Sequence, residues 1–402
     1  MAQHAATINP WSPEARQNPH AAYKIMRENQ PMFRAVGPVS GSSFWFLTRY
    51  DDCQVALKDA RLSKEASKVL ADEQMAALTV PGLDALNKHM LNFDAPNHTR
   101  LRGLVHKAFT PRMIDNLRPR IEAISATLLK DMKERSGETI DLIDAFAFPV
   151  PIIVITELLG IPPEERDQFR AWTRAILFGQ DYNEMMIAGM SIIQYLNEVF
   201  DLRTANPQDD LISGLLYVEE NGSKLDRMEL ISMIFLLLVA GHETTVNLIA
   251  SGTMTLLKYP EQKDKLARNP TLIKTAVEEM LRYESPVENT LSRWALEDIE
   301  IGGVTIPRGD IVLATVLAAN RDPSVFANPD VFDITRDPNK HIAFGNGIHY
   351  CLGAPLARME GAIAINAMLA ALPNLEMAVP FEDLRWNDQT ILHGLTRLPV
   401  RC

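Results

Sequence analysis

Disulfides, a membrane anchor and an excess of positive charge are all missing from this sequence. Only three cysteines, Cys53, Cys351 and Cys402, occur in 402 residues. They are too few and too far apart for a disulfide framework, so a reducing, cytoplasmic compartment is expected. The residues after Met1 show no charged segment leading into an apolar run, so no signal peptide is expected. The longest greasy run, Met233 to Ala240, falls far short of the ~20 residues that a bilayer requires. A soluble protein without membrane contact is the expectation. With 40 Lys and Arg against 51 Asp and Glu, the net charge is −11, which argues against nucleic acid as the main partner. Gly/Ser-rich linkers, low-complexity tracts and internal repeats are absent too. The chain therefore reads as a single domain, 1–402, expected to be monomeric. Its 47% hydrophobic content is enough to build a large core.

What is present is mostly helical. Apolar residues recur at helical spacing from about Asp115 to Leu257, interrupted at Pro149, Pro151, Pro162 and Pro163. Ser43-Phe44-Trp45-Phe46-Leu47-Thr48 is rich in aromatic residues and reads as a strand. Ile299 to Ile306 alternates across Gly302-Gly303 and reads as a hairpin. The expected class is mainly α with a small β region.

One cysteine stands in a chemical context. Phe344-Gly345-Asn346-Gly347-Ile348-His349-Tyr350-Cys351-Leu352-Gly353 sets two glycines before Cys351 and an apolar helical stretch after it. The glycines allow a tight bend. Backbone amides and the positive end of the helix dipole favour a thiolate, the metal-binding form. An isolated cysteine is more often a buried filler; the glycine spacing and helix context point the other way here.

A second constellation sits in the apolar run. Ala240-Gly241-His242-Glu243-Thr244-Thr245 places an acid and hydroxyls in a helix that Ile231 to Leu238 marks as buried all round. His242-Glu243 begins the zinc motif H-E-x-x-H, but position 246 is valine, so that reading fails. A packing glycine beside a satisfied polar cluster is the plain alternative. Elsewhere Glu279 and Arg282 share a helix face, as do His98 and Arg102. Six cations (Arg100, Arg102, Lys107, Arg112, Arg118 and Arg120) face one acid, Asp115, between Thr99 and Arg120. That stretch is either a docking face for an acidic electron donor or an ordinary solvated helix.

The loop around Cys351 resembles the haem-binding loop of the cytochrome P450 family, matching F-G-x-G-x-H-x-C-L-G-A at every fixed position. Ala240 to Thr244 resembles that family's A-G-x-[DE]-T motif, Glu279 and Arg282 its E-x-x-R motif, and His98 and Arg102 its H-x-x-x-R pair. The resemblance spans essentially the whole chain. It implies an α-rich fold, a single domain enclosing haem b (iron protoporphyrin IX) between a long distal helix and a proximal one.

By that resemblance Cys351 is the axial thiolate of the iron, in a loop built by Phe344, Gly345 and Gly353. His349, His98, Arg102 and Arg293 would contact the haem propionates. Gly241 would leave room for O2, Thr244 would supply the oxygen-activating hydroxyl, with Thr245 a possible sharer, and Glu243 would relay protons. Glu279, Arg282 and Arg336 would form a structural cluster behind the haem. The implied activity is a monooxygenase that puts one atom of O2 into an apolar or amphipathic substrate, by hydroxylation or epoxidation. No flavin or nicotinamide domain fits in the chain, so a separate ferredoxin and ferredoxin reductase are implied. A peroxygenase using H2O2, in which the acid–threonine pair is replaced, and a non-enzymatic haem sensor, which would not need that pair, are the alternatives. Candidate substrate contacts, by analogy, are Leu91, Phe178, Leu238, Val239, Val287, Leu291, Ile391 and Leu392. Phe178 to Phe200, with Met185, Met186 and Met190, reads as an adaptable lid or as core. One departure is His393 before Gly394-Leu395, where arginine is common in the family. Substrate identity stays open.

Overall fold

The aromatic run forms a strand, Ser43–Leu47, because neighbours cover both of its faces. In the computed structural model of the protein, which describes residues 9–37, 43–78, 80, 82–179 and 181–402, Met32–Val36 pairs antiparallel with it, Phe33 opposite Phe46. Ile311–Ala314 runs parallel on its other side. Arg293–Ala295 and Leu62–Ser63 complete five strands. Alternate side chains point to opposite faces. Trp45, Leu47, Val312 and Ala314 pack with Cys53, Ala56 and Leu57 of the helix Tyr50–Lys58. Phe33, Phe46, Ile311 and Leu313 pack with Tyr23 and Met26 of the helix Pro19–Asn29.

The chain gathers into two compact units. One takes in the described part of Met1–Ser63, with Glu122–Phe148 and Thr244–Cys402; the other is formed by Lys64–Ile121 and Pro149–Glu243. The first holds the five-stranded sheet, the helices Ile273–Tyr283 and Ala354–Ala371, and two smaller sheets. In one of these, Ile299–Ile301 and Val304–Ile306 form the expected hairpin. Gly302 and Gly303 turn it at φ of 55° and 78°, the left-handed region that a two-residue turn of this kind needs. The second unit is helical, with Asn97–Ala108, Pro149–Leu159, Arg166–Phe178 and Tyr182–Ala205. An aromatic cluster of Phe169, Trp172 and Tyr195 joins the last two, with ring centroids 4.9–6.0 Å apart.

The span expected to be helical from Asp115 to Leu257 needs one correction. Pro149 and Pro151 lie in the first turn of Pro149–Leu159, where a missing N–H costs nothing, and they mark the break from the π-helical segment Ile143–Ala147 before it. Ile140–Asp141 is a strand, paired with Pro399–Val400. Its partner lies so far along the chain that local periodicity carries no sign of it. The long helix Arg227–Lys258 also has an 18-residue stretch apolar enough to cross a membrane by length and composition, and 67% of that stretch is buried.

A buried ionic network ties the first unit together. Arg282, fully buried, donates from Nε and Nη2 to the Glu279 carboxylate at 2.7 and 2.8 Å. Its remaining donors reach the carbonyls of Asn320, Pro329 and Val331. Arg336 Nε approaches both oxygens of Glu279 at 3.1–3.2 Å, and Asn339 Nδ2 donates to it at 3.0 Å. Every donor and acceptor of a desolvated pair is therefore used, which is the condition for such a pair to be tolerated.

Glu360, on the buried face of Ala354–Ala371, is a contrasting case. It is 1% exposed, its Oε2 has no hydrogen-bond partner, and burial pushes its carboxyl up to about 8.

Two outcomes are expected. Glu279→Ala strands the Arg282 and Arg336 charges and should cost about 3–5 kcal/mol, read by chemical unfolding. For Glu360 the folded chain holds a proton that the unfolded chain releases above its ordinary value of 4.5. Stability should therefore fall as pH rises between about 4.5 and 8. Glu360→Gln should flatten that slope and raise the unfolding temperature at the alkaline end, as measured by thermal melts across the window.

Candidate functional site

The loop before Ala354–Ala371 is set by its glycines and closed by its own backbone. Gly345 and Gly347 take φ of 71° and 73°, and a side chain on Gly347 would come 2.8 Å from the carbonyl oxygen of Leu57. Cys351 N donates to the carbonyl of Phe344 at 2.9 Å, drawing the two ends together. Asn346 Oδ1 caps the short turn Gly347–His349 by accepting from Gly347 N at 2.7 Å. The helix then opens with Gly353 at its N-cap and Pro355 in its first turn. The Cβ that Gly353 lacks would lie 4.0 Å from Cys351 Sγ.

The three thiols separate sharply. Cys53 is buried, donates to the carbonyl of Leu47 at 3.1 Å, and is pushed far up by burial. It is a packing residue. Burial also raises Cys402. Cys351 is exposed, at the start of an 18-residue helix.

A second ionic set, not singled out from the sequence, braces this loop. Arg358 Nε and Nη2 bind Glu278 at 2.6 and 2.9 Å, and His341 Nε2 lies 3.0 Å from the same carboxylate. Burial alone would raise Glu278, but Arg358 and His341 outweigh it and hold it at about 2. The Arg358 guanidinium also lies 4.4 Å over the Phe344 ring, a cation–π contact, and its Nη1 donates to the Tyr350 hydroxyl at 3.4 Å. The only local signal was a carboxylate beside Glu279 and an arginine one helical turn into the helix after Cys351. Nothing in the spacing shows that they meet.

In the same unit Arg293 is buried and donates from Nη1 to the carbonyl of Leu62 at 3.3 Å. Val287 bridges to Leu392, and Glu288 N donates to the carbonyl of Ile391 at 2.8 Å. This sets two of the segments read as substrate contacts side by side. Val287, Leu291 and Leu392 are half-buried, and Ile391 is exposed.

In the helical unit His98 is 2% exposed, its backbone N donating to the carbonyl of Asp94 at 2.8 Å, and Arg102 follows it by one turn. Arg100 points elsewhere and pairs with Glu229. Lys107 lies 3.4 Å from Glu220, and Arg120 grips Glu157 through two 2.7 Å bonds. Half of the basic stretch is thus matched by acids of its own unit. Arg112 and Arg118 are exposed and in no salt bridge among the described residues. Leu91 is half-buried. Phe178 ends the helix Arg166–Phe178, and its side chain lies outside the described residues.

On the long helix, Leu238 is 1% exposed and belongs to the packed face, while Val239 is half-buried. The accessible turn follows: Ala240 is exposed, Gly241, Glu243 and Thr244 are half-buried, and Thr245 is buried. Of the two hydroxyls Thr244 is the accessible one. A Cβ on Gly241 would sit 3.0 Å from Ile155 Cδ1, so close packing against Pro149–Leu159 already calls for glycine. His242 is buried; its Nδ1 meets the carbonyl of Leu238 at 2.7 Å, and its Nε2 lies 3.3 Å from Glu243 Oε1.

Comparison with known proteins accords with these features. The family model described as Cytochrome P450 matches residues 11–377, and the chain belongs to that family. It is 46% identical to the polyketide biosynthesis cytochrome P450 PksS of Bacillus subtilis (strain 168), over 98% of each chain. The structure of PksS superposes with a TM-score of 0.92, at 45% identity over 98% of this chain and 99% of that one. The myxobacterial cytochrome P450 CYP267B1, solved with myristic acid, gives 0.91 at 45% identity, over 97% of this chain and 98% of that one. P450BioI, solved with an acyl carrier protein bearing hexadec-9Z-enoic acid, gives 0.86 at 40% identity, over 97% of this chain and 100% of that one. The protein is a cytochrome P450 monooxygenase, an oxidoreductase whose cofactor is haem b. The donor set suits that group, with an accessible thiol in a tightly bent loop and Gly353 leaving open the space beside the sulfur.

If Glu278 holds the loop, Glu278→Ala should loosen haem retention several-fold while leaving most of the fold intact, since the half-buried set loses the carboxylate that joins Arg358 and His341. Transfer of haem to excess apomyoglobin measures this directly.

Proposed function

We propose that the protein inserts one atom of O2 into an apolar or amphipathic small molecule, by hydroxylation or epoxidation, with electrons from a separate ferredoxin and its reductase. The observation that carries this reading is the accessible Cys351 thiol, fixed at a helix N-terminus by the closed loop from Phe344. When bound, the haem supplies the redox and oxygen chemistry. Cys351 would ligate it through sulfur, the thiolate supplying an electron-rich donor to the iron. By the family resemblance His98, Arg102, Arg293 and His349 would hold its propionates by charge-assisted hydrogen bonds. Glu243 carries protons in from water and Thr244 holds one where oxygen reacts. The chain works as one domain and as a monomer in the cytoplasm. Arg112 and Arg118, exposed and in no salt bridge among the described residues, are the best points of contact for an acidic electron donor.

The half-buried apolar side chains of Val287, Leu291 and Leu392, with exposed Ile391, support a greasy substrate. A long acyl chain fits that character. It is also what CYP267B1 and P450BioI were solved with, so fatty acids and acyl chains on a carrier protein are the first class to screen. Polyketide chains come next.

The test begins with the spectrum of the reduced protein under carbon monoxide. A strongly red-shifted Soret band that is lost in Cys351→Ala supports thiolate ligation; a histidine-type band in the native protein removes the assignment. Turnover with a ferredoxin, its reductase and NADPH then separates the readings. Product with H2O2 alone would make it a peroxygenase, and no product from either system would favour a sensor. Thr244→Ala should reduce product per NADPH by on the order of 10-fold or more, with peroxide released in its place, as expected when a positioned proton donor is lost.

A further inference from the structure

The N-terminal helices Pro13–Gln17 and Pro19–Asn29 carry no residue of the proposed chemistry, yet their polar side chains enter the protein at one place. Arg16, 4% exposed, binds fully buried Glu288 through two bonds, Nη1–Oε1 at 2.5 Å and Nη2–Oε2 at 2.8 Å. Its Nη2 also donates to the carbonyl of Gln389. The Tyr23 hydroxyl donates to Glu288 Oε1. Asn289 Nδ2 donates to the Tyr23 hydroxyl at 3.1 Å and to the carbonyl of Thr390 at 2.7 Å. Gln17 exchanges a pair of 3.1 Å hydrogen bonds with the backbone of Trp386.

A second cluster lies at the other end of the same two segments. His20 Nε2 and His393 Nε2 lie 2.8 and 2.9 Å from Glu284 Oε2, and His393 N donates to the carbonyl of Pro286 at 2.9 Å. Trp386 stacks on the His393 ring at 3.8 Å. The three ligand atoms of His20, Glu284 and His393 fall within 4.8 Å of one another, a set that would suit zinc. Arg321 already supplies the positive charge there, 3.4 Å from Glu284 Oε1 and 3.3 Å from His20 Nε2. The cluster reads as a hydrogen-bonded clasp.

Both clusters grip 284–289 and 386–393, the segments that carry Val287, Ile391 and Leu392. A hydrogen-bonded charge pair with no exposure has little freedom, so it fixes the spacing of the backbones that it joins. We propose that Arg16 and Tyr23, acting through Glu288, are positioning residues that hold the bridged Val287 and Leu392 segments in place as one wall of the substrate pocket, and so set its specificity. This rests on the reading of Val287 and Leu392 as substrate contacts.

The test uses ferric holoenzyme and two probes, imidazole and 4-phenylimidazole, each titrated by its Soret shift. Imidazole affinity reports access to the iron. The ratio of the two affinities reports the pocket wall that meets the phenyl ring. The double variant Arg16→Gln/Glu288→Gln removes both charges together and leaves neither stranded. It should reduce the ratio about fivefold or more, roughly the weight of one well-placed apolar contact, with imidazole affinity and the carbon monoxide spectrum unchanged. An unchanged ratio, while Val287→Ala or Leu392→Ala moves it, overturns the positioning role and leaves the pocket reading standing. If Val287→Ala and Leu392→Ala also leave the ratio unmoved, the pocket reading fails and the proposal with it. Should the double variant fail to fold, Tyr23→Phe, which removes a single hydroxyl, decides in its place: a reproducible fall in the ratio supports the role and an unchanged ratio refutes it.

Discussion

A guanidinium with no access to water is the constraint around which the sheet-bearing unit is organised. Arg282 must satisfy all its donors inside the protein, and it does so with one carboxylate and three carbonyls. Those carbonyls belong to the segment between Asn320 and Val331, which leads towards the thiol loop. Arg336 and Asn339 fill the remaining capacity of Glu279. The network ties a helix to a stretch of irregular backbone that has no regular ladder to hold it. Irregular backbone is otherwise the easiest part of a protein to deform.

The thiol loop repeats that solution on a smaller scale. Its glycines allow the bend, and the 2.9 Å bond from Cys351 N to Phe344 closes it. Glu278 and Arg358 then pin it from the helices on either side in sequence. The two adjacent acids of the helix Ile273–Tyr283 thus serve different partners: Glu279 anchors Arg282 and Arg336, and Glu278 anchors Arg358 and His341. The result is a sulfur that stays accessible while its surroundings are fixed. The N-terminal clasp applies the same physics to the segments around Val287 and Leu392.

Gly241 shows how a motif can carry more than one constraint. It matches the oxygen-activation pattern, and a Cβ there would sit 3.0 Å from Ile155 Cδ1, so helix packing alone already disfavours a larger residue. The two demands are compatible, since a helix packed closely on one side can stay open on the turn at Ala240 and Thr244. The neighbouring His242 is used locally, hydrogen-bonded within its own helix and set beside Glu243.

The sequence by itself determined the family, the mainly helical class, the Ser43–Leu47 strand and the Gly302-Gly303 hairpin. Each rests on short-range spacing: a turn needs its glycines and a strand its alternation, and a ligand loop needs fixed residues in order. Only the tertiary structure decided which charges meet. Arg16 with Glu288, Glu278 with Arg358 and Ile140 with Val400 join residues far apart in the chain. Arg100, Lys107 and Arg120 find their acids in the same way, while Arg112 and Arg118 are in no salt bridge among the described residues. These pairings are set by where the backbone carries each residue, and no local pattern encodes that, because a buried charge takes its partner from whatever the fold brings within reach.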